Sequence, residues 1–588
     1  MGAGSPRSSN RGRRARACDS CSRRKIQCDA DVPQCNCPDH KISQPDSIGQ
    51  MEAILARRLS QHDSNAQIDY STSSHSHLRN VTSFTGIPLF SHRGRAWIES
   101  RTGSCMTPQA LCSFGRQWHS PRRLYLDPDT AVVQKQPCEL PPRSTVERYA
   151  AVYCSSFVCL VFPVLSKCLL SRTLDLAYQP KDSSSVASAT ACVYSFLALI
   201  SILKVDDDSV ATMASESYAA AAASLIPQVT QEMTADGLQM LVTMAIVYYF
   251  LGDLQSTGLF ISIATRLIFV LNAHANPDYT TASNPPSPSS SYHASSQPPS
   301  QLYDKSNLAH HLRDLFWTCY AIDKDLCIRT GQPSCLLDLH SDLTLPPDYS
   351  MMQTRHIQSP TMPHLGNNTV PVYPWDLLLS QLKSRAYDAL YSPMAHRKTQ
   401  SELLESIRIL DESLEQWRLS IPSDIRPTLT FSETTPVSVD VSMQSSMIRL
   451  AYYQFVAIVH RASGRCKAQS PEDYHEGVRS SFNISLDACR STVMYLRVAL
   501  RVITDDCFWI IIHYPMTAIL ALFSNILSNP LDDCAAGDLE ILRGAPALFR
   551  GIPIRKLTLA ELTHLKFLDA FSRELARLGE LAIRKANG

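Results

Sequence analysis

The sequence contains no G-x-S-x-G, no G-x-x-x-x-G-K-S/T, no H-E-x-x-H and no G-x-G-x-x-G. These absences remove the nucleophile elbow, the phosphate-cradling loop, the paired-histidine zinc helix and the dinucleotide fingerprint, so no catalytic constellation supports an enzyme. Sustained apolar/polar alternation bounded by turn signals is also missing, which argues against a sheet-based domain. No self-similarity recurs at a fixed solenoid period. The opening residues, MGAGSPRSSNRGRRARA, lack an apolar h-region. They are therefore not read as a secretory signal, and the thiols are expected to stay reduced. On that reading the glycosylation sequons at Asn80, Asn367 and Asn483 carry no meaning.

Membrane-length apolar runs are scarce as well. The run at 188–203 is too short to span a bilayer. The run at 507–527, CFWIIIHYPMTAILALFSNIL, has the length but carries His513 and Pro515 and no flanking Lys/Arg cluster. Both are expected as buried core helices, with no membrane partner.

What is present is a globular composition, 44% hydrophobic and 19% charged, over 588 residues, enough for a sizeable core. The net charge of +1 hides an asymmetry. Residues 1–28 hold eight cations (Arg7, Arg11, Arg13, Arg14, Arg16, Arg23, Arg24 and Lys25) against the single acid Asp19. So local a positive field is the footprint of a polyanion partner, and nucleic acid is the usual one.

Residues 1–17 read as a basic arm, 18–46 as a cysteine module and 47–140 as a polar linker. Inside the linker, IGQMEAILARRL sets Ile48, Met51, Leu55 and Leu59 at helical spacing, either as a short dimerisation coil or as an amphipathic turn docked on the main body. From 145 to 585 apolar residues recur at spacings of three and four. They predict helices near 145–160, 188–204, 208–226, 236–251, 254–272, 306–328, 376–391, 399–420, 440–463, 482–503, 507–528 and 557–585, an all-α domain. The Pro- and Ser-rich residues 277–303 are expected as an exposed insertion, unable to bury enough apolar surface to fold.

In CDSCSRRKIQCDADVPQCNC, residues 18–37, Cys18, Cys21, Cys28 and Cys35 give the spacing C-x2-C-x6-C-x6-C. Four thiolates suit tetrahedral zinc, and closely spaced ligands reach one ion without a folded core behind them. This stretch resembles the fungal binuclear-cluster DNA-binding module, in which six cysteines hold two zinc ions and the first and fourth sulfurs bridge both. The resemblance implies that one zinc takes Cys18, Cys21, Cys28 and Cys35, and that the second shares Cys18 and Cys35. It implies too that Pro33 is the loop proline.

The sequence departs from that pattern at the second metal. Cys37 follows Cys35 after one residue instead of two, and the window of the sixth cysteine reads ISQPD, with no further Cys before Cys105. Three explanations stand: a splicing or gene-model error around residues 36–46, a substitute ligand such as His40, or a module with one zinc. The simultaneous loss of a residue and a ligand favours the first. By the same resemblance Arg24 and Lys25 occupy the positions that read a CGG half-site, donating to guanine O6 and N7, with Arg23 on phosphate. Alternatively all three contact phosphate only. Arg14 and Arg16 in the arm add phosphate attraction and read as a nuclear import signal.

The helical body carries a second resemblance. LRDLFWTCYAIDKDLCIRTGQPSCLLDLHSDLTLPPDY, residues 312–349, is similar to the middle homology region of the fungal transcription factor regulatory domain, through Asp323, Arg329, Gly331, Gln332, Pro333, Asp342, Leu345 and Pro346. FPVL at 162–165, LDESLEQWRLSIPSDIRP at 410–427 and IRLAYYQFVAIVHRAS at 448–463 match as well. Phe316, Trp317, Tyr320 and Leu326 form a stripe expected in the core. Arg329 with Gly331 and Pro333 reads as a capping turn or as the rim of a ligand pocket. Together the resemblances imply a nuclear, zinc-dependent regulator of RNA polymerase II transcription that binds double-stranded DNA. A homodimer, a small-molecule effector and control of one metabolic gene cluster are further expectations. The rival is a cofactor or repressor that works through its helical domain without touching DNA.

Overall fold

The computed structural model describes residues 92–105, 139–179, 185–203, 215–277, 299–358, 371–435, 442–466, 476–554 and 559–588. The chain divides into two units, Met1–Ser71 and Thr72–Gly588, and every described residue lies in the second. Among the described residues the regular structure is helical, with no strand, as the periodicity of three and four requires.

The first helix, α1 (His92–Thr102), falls inside the stretch expected to be linker. Its sequence is too polar to show an apolar stripe, yet Ile98 is fully buried in a core and Trp97 packs on it. Thr102 Oγ1 donates to the Ile98 carbonyl at 2.8 Å, which tightens its last turn.

One apolar core gathers α2 (Arg143–Ser155), α3 (Val158–Val161), α4 (Lys167–Tyr178), α5 (Val186–Leu203), α6 (Ser215–Ser224), α7 (Ile226–Glu232), α8 (Ala235–Phe250), α9 (Leu254–Val270), α10 (Pro299–Thr330) and α11 (Tyr349–Gln358). At its centre α8 packs against α5 and α9. Thr234 caps α8 by accepting from Gly237 N at 3.1 Å, and every residue from Gly237 to Phe250 is buried, as an all-round apolar helix must be. The stripe Phe316, Trp317, Tyr320 and Leu326 on α10 is buried, with Trp317 and Tyr320 in edge-to-face contact at 5.5 Å. Helix α10 begins at Pro299, within the stretch expected as an exposed insertion.

A second core gathers α12 (Leu377–Ala386), α13 (Gln400–Ser420), α14 (Met443–Arg461), α15 (Glu476–Ala499), α16 (Phe508–Ile511), α17 (His513–Ser528), α18 (Ala535–Gly551) and α19 (Leu559–Asn587). Helix α13 shows how the sequence builds it. A Thr399–Glu402 capping box starts it, and Leu403, Ile407, Leu410, Leu414 and Trp417 then turn one stripe inward. Helix α5 starts two residues before the run at 188–203, so that run, expected to be too short, and the run at 508–528 are both long and apolar enough to cross a membrane, and most of each is buried inside the protein.

The two cores meet where α10 packs on α12 and α8 on α16. Gly252, in the turn after α8, has φ +74°, and a Cβ there would stand 2.9 Å from Trp509 Cγ of α16. Only glycine accepts both that backbone and that approach.

Candidate functional site: a cavity between two helical cores

A cavity of about 390 Å³ opens at this seam. One wall is a single face of α14: Met443, Gln444, Met447, Ile448 and Ala451 recur at the helical spacing of three to four. Ser442 caps that helix by accepting from Ser445 N. The opposite wall comes from the first core, through Phe157, Val161, Phe162, Leu203 and Phe250. Met447 and Cys507 pack against both cores.

The floor is the extended strap 372–376, and hydrogen bonds pin it on every side. Val372 N donates to the Leu160 carbonyl at 2.8 Å, and Gln353 Nε2 donates to the Val372 carbonyl at 2.6 Å. Tyr373 takes φ +60°, a left-handed conformation costly for a non-glycine residue, and its hydroxyl donates to Asp314 Oδ1 at 2.8 Å. Asp376 caps α12 by accepting from Leu379 N at 2.8 Å, and the same oxygen accepts from Trp417 Nε1. Burial raises Asp376 above the ordinary carboxylate value, and those donors hold it back.

The third side is the loop Thr504–Cys507 with Ile510. It brings two more carboxylates, Asp505 and Asp506, and among the described residues the lining contains no lysine, arginine or histidine. Asp506 is half-buried, and its carboxylate takes a hydrogen bond from the Cys507 side chain.

Behind the strap lies a buried ionic cluster. Asp325 on α10 accepts from Lys383 Nζ of α12 at 2.6 Å, and from Arg329 Nε and the Tyr249 hydroxyl. Burial opposes ionisation of Asp325, but Arg329 and Lys383 outweigh it and hold the carboxyl well below its usual range. The cluster touches the cavity twice. Trp375 of the floor meets the Tyr249 ring edge-on at 5.1 Å, and Ile510 of the third wall accepts from Arg329 Nη1 at 3.0 Å.

Arg329 therefore neither caps α10 nor lines the cavity. The helix is ended by Gly331, at φ +69°, whose N–H donates to the Cys327 carbonyl at 2.9 Å. Asp323 holds the turn that follows, accepting from Cys335 N at 3.0 Å and Leu336 N at 2.9 Å.

Cys18, Cys21, Cys28, Cys35 and Cys37, with Arg14, Arg16, Arg23, Arg24 and Lys25, lie outside the described residues, as do His40 and the amphipathic stretch 48–59. Among the described residues no three His, Cys, Asp or Glu side chains gather where a metal could be held.

Residues 152–419 match the family model of the fungal specific transcription factor domain. The match takes in the first core, the strap and α12, whereas the α14 wall and the Asp505–Asp506 loop lie beyond it. Among curated proteins the chain is similar to the ABC-transporter-regulating transcription factor of Aspergillus fumigatus, 28% identical over 39% of this chain and 26% of that protein. The Fusaridione A cluster transcription factor fsdR of Fusarium heterosporum is 26% identical over 42% of this chain and 45% of its own length. An uncharacterized transcriptional regulatory protein of Schizosaccharomyces pombe is 22% identical over 90% of this chain and 72% of its own. The chain thus spans about a quarter of the first of these relatives and under half of the second. No solved structure matches it. The matched domain and the relatives' names support a fungal transcriptional regulator.

Proposed function

We propose that this chain is a sequence-specific, zinc-dependent DNA-binding factor that regulates RNA polymerase II transcription in the nucleus of a fungus and is not an enzyme. The observation that carries the reading is the spacing of Cys18, Cys21, Cys28 and Cys35 around Arg23, Arg24 and Lys25. Zinc held there would fix the basic run on a short rigid frame, so that Arg24 and Lys25 enter the major groove at a CGG half-site while Arg23 meets phosphate. Arg14 and Arg16 on the arm add sequence-independent attraction. Cys37 supplies a fifth thiolate for the second ion, and the regulatory domain matched at 152–419 is the body that such a module serves. The amphipathic stretch 48–59 is the candidate homodimer seam, and a small-molecule effector acts on the helical body.

The named relatives point to two kinds of target, an ABC transporter and one metabolic gene cluster. Control of a single gene cluster is the target we propose. One observation favours a second reading, a cofactor or repressor that works without DNA contact: the absence of a sixth cysteine between Cys37 and Cys105. Native mass spectrometry of the full chain and gel shifts on CGG-containing and scrambled duplexes separate the two. Bound zinc with chelator-sensitive preference for CGG is expected. Metal-free protein that shifts neither duplex would replace the first reading by the second.

A further inference from the structure

The seam cavity has the volume of a small-molecule site, and most of its lining is apolar. Its carboxylates are already engaged. Asp376 accepts from Leu379 N, Trp417 Nε1 and the Tyr349 hydroxyl, Asp506 takes the Cys507 side chain, and Asp505 is not free either. A cation entering here would shed its water without meeting an unpaired anion, and an anion would face carboxylates with no cation among the described lining residues. An uncharged molecule suits this lining best.

Gln353 of α11 is the polar group that is both fixed and incompletely paired. It lines the cavity and is only 8% exposed. Its amide nitrogen uses both hydrogens, donating to the Tyr349 hydroxyl and to the Val372 carbonyl, each at 2.6 Å. The second bond settles which way the amide faces, because a carbonyl can only accept. Oε1 is thereby held in place, and no donor among the described residues reaches it. A buried acceptor left unpaired is costly, and a hydroxyl satisfies it without adding charge. Around it, Phe162 and Phe250 form one wall, while Met443 and Met447 on the other supply flexible thioethers that adapt to irregular shapes.

We propose that this cavity binds one uncharged lipophilic molecule carrying a hydroxyl, the hydroxyl donating to Gln353 Oε1 and the apolar body lying between the two helical cores. Because Phe250 belongs to one core while Met447 contacts both, a bound molecule favours the closed seam over any arrangement in which the cores part. That the bound state alters transcription rests on the function proposed above. The binding itself does not.

Isothermal titration calorimetry on the full chain, without DNA, tests the site with a diphenylbutanol, its methyl ether, the matching ammonium and the matching carboxylate. The alcohol is expected to bind at one per chain, with the ether weaker by about fivefold, the worth of one neutral hydrogen bond. Both charged probes should be weaker than the alcohol by about tenfold or more, since neither finds a counter-charge. Gln353→Leu removes the acceptor and one pin of the strap together, so every affinity falls. The diagnostic readout is the ratio: alcohol and ether should now bind alike, whereas a merely structural glutamine would leave the parent's preference in place. Met447→Trp fills the cavity and should abolish binding while the helical circular-dichroism signal and melting transition persist. If either variant fails to fold, the four probes on the parent protein still decide. No binding of any probe, an ether as tight as the alcohol, a charged probe as tight as the alcohol, or a parental ratio in Gln353→Leu overturns the proposal. Since the titration involves no DNA, loss of ligand binding with CGG recognition intact removes only the cavity. The converse removes only the DNA-binding reading.

Discussion

Arg329 of α10 donates Nη1 to the carbonyl of Ile510, 3.0 Å away and 181 residues further along the chain. The guanidinium thereby joins α10 to the short helix α16 of the second core. The same side chain holds Asp325, which also takes Lys383 of α12. Both cores are stitched through one buried cluster. Arg329→Ala would take from buried Asp325 one of its two cations, leaving it Lys383 and the Tyr249 hydroxyl, and would leave the Ile510 carbonyl without its donor. A stability loss of about 3–5 kcal/mol is expected, read from the urea midpoint. A loss under about 1 kcal/mol would be the value of an exposed pair and would contradict the burial.

Much of the fold was legible because local pattern and tertiary demand agree. Helix α8 was expected at 236–251 and runs Ala235–Phe250, and the capping box of α13 stands where the stripe from Leu403 to Trp417 begins. The failures have causes. Helix α1 offers only Trp97 and Ile98 to a core, so its helicity depends on the surface of α19 that receives it. Helix α18, unforeseen in the sequence, contains Pro546, a residue that reads as a breaker and is here tolerated inside Ala535–Gly551. The site was less legible still. Phe162 and Ile448 sat within stretches singled out for their resemblance and Ile510 within a run expected as core, but nothing in a linear pattern says that three such stretches face one void. The turn from Arg329 to Pro333 had two readings in sequence, cap or pocket rim. Gly331, at φ +69° with its N–H on the Cys327 carbonyl, bears out the cap, whereas the Arg329 side chain goes to a partner 181 residues away that no local spacing encodes.

Gly252 tests the seam from the other side. With φ +74° and Trp509 Cγ 2.9 Å from where a Cβ would stand, Gly252→Ala meets both a backbone and a packing penalty. The expected cost is about 2–4 kcal/mol by chemical denaturation, summing left-handed strain and overpacking. A neutral result would mean that the turn after α8 does not press on α16.

Two groups one turn apart on α10 should give opposite pH dependences. Burial pushes Asp314 up to about 7, against an ordinary 3.8, despite the hydrogen bond from Tyr373. The folded state then keeps a proton that the unfolded chain releases, so this contribution is full below about pH 4 and is lost as pH rises towards 7. Burial lowers His311 to about 4, against 6.5, so its contribution is full above 6.5 and is lost as pH falls towards 4. Between pH 4 and 6.5 the two oppose each other. Melting temperature followed against pH should therefore fall more steeply with rising pH in His311→Gln than in the parent, and more steeply with falling pH in Asp314→Asn. Asp314 keeps some solvent contact, so its effect is set at about 1–2 kcal/mol. Parallel profiles for the parent and both variants would contradict these assignments.

The basic run between Cys21 and Cys28 offers the sharpest division between reading DNA and merely holding it. If Lys25 donates to guanine in the groove, Lys25→Ala costs about 1–3 kcal/mol on CGG duplexes and nearly nothing on random sequence. Arg14 and Arg16 sit on the arm, where charge meets phosphate. Replacing either by alanine should weaken both duplexes alike and reduce the slope of log affinity against log salt by about 1. On the proposed reading metal links the two behaviours, because the frame that would aim Lys25 needs zinc on the thiolates. Cys18→Ser, which on that reading removes a sulfur shared by both ions, should lower the zinc count and abolish the CGG preference, while leaving the salt-dependent attraction of the arm. Should Cys18→Ser retain its zinc, Cys18 bridges nothing. If Lys25→Ala loses affinity equally on both duplexes, the residue is a phosphate contact, and sequence discrimination must come from elsewhere in the chain.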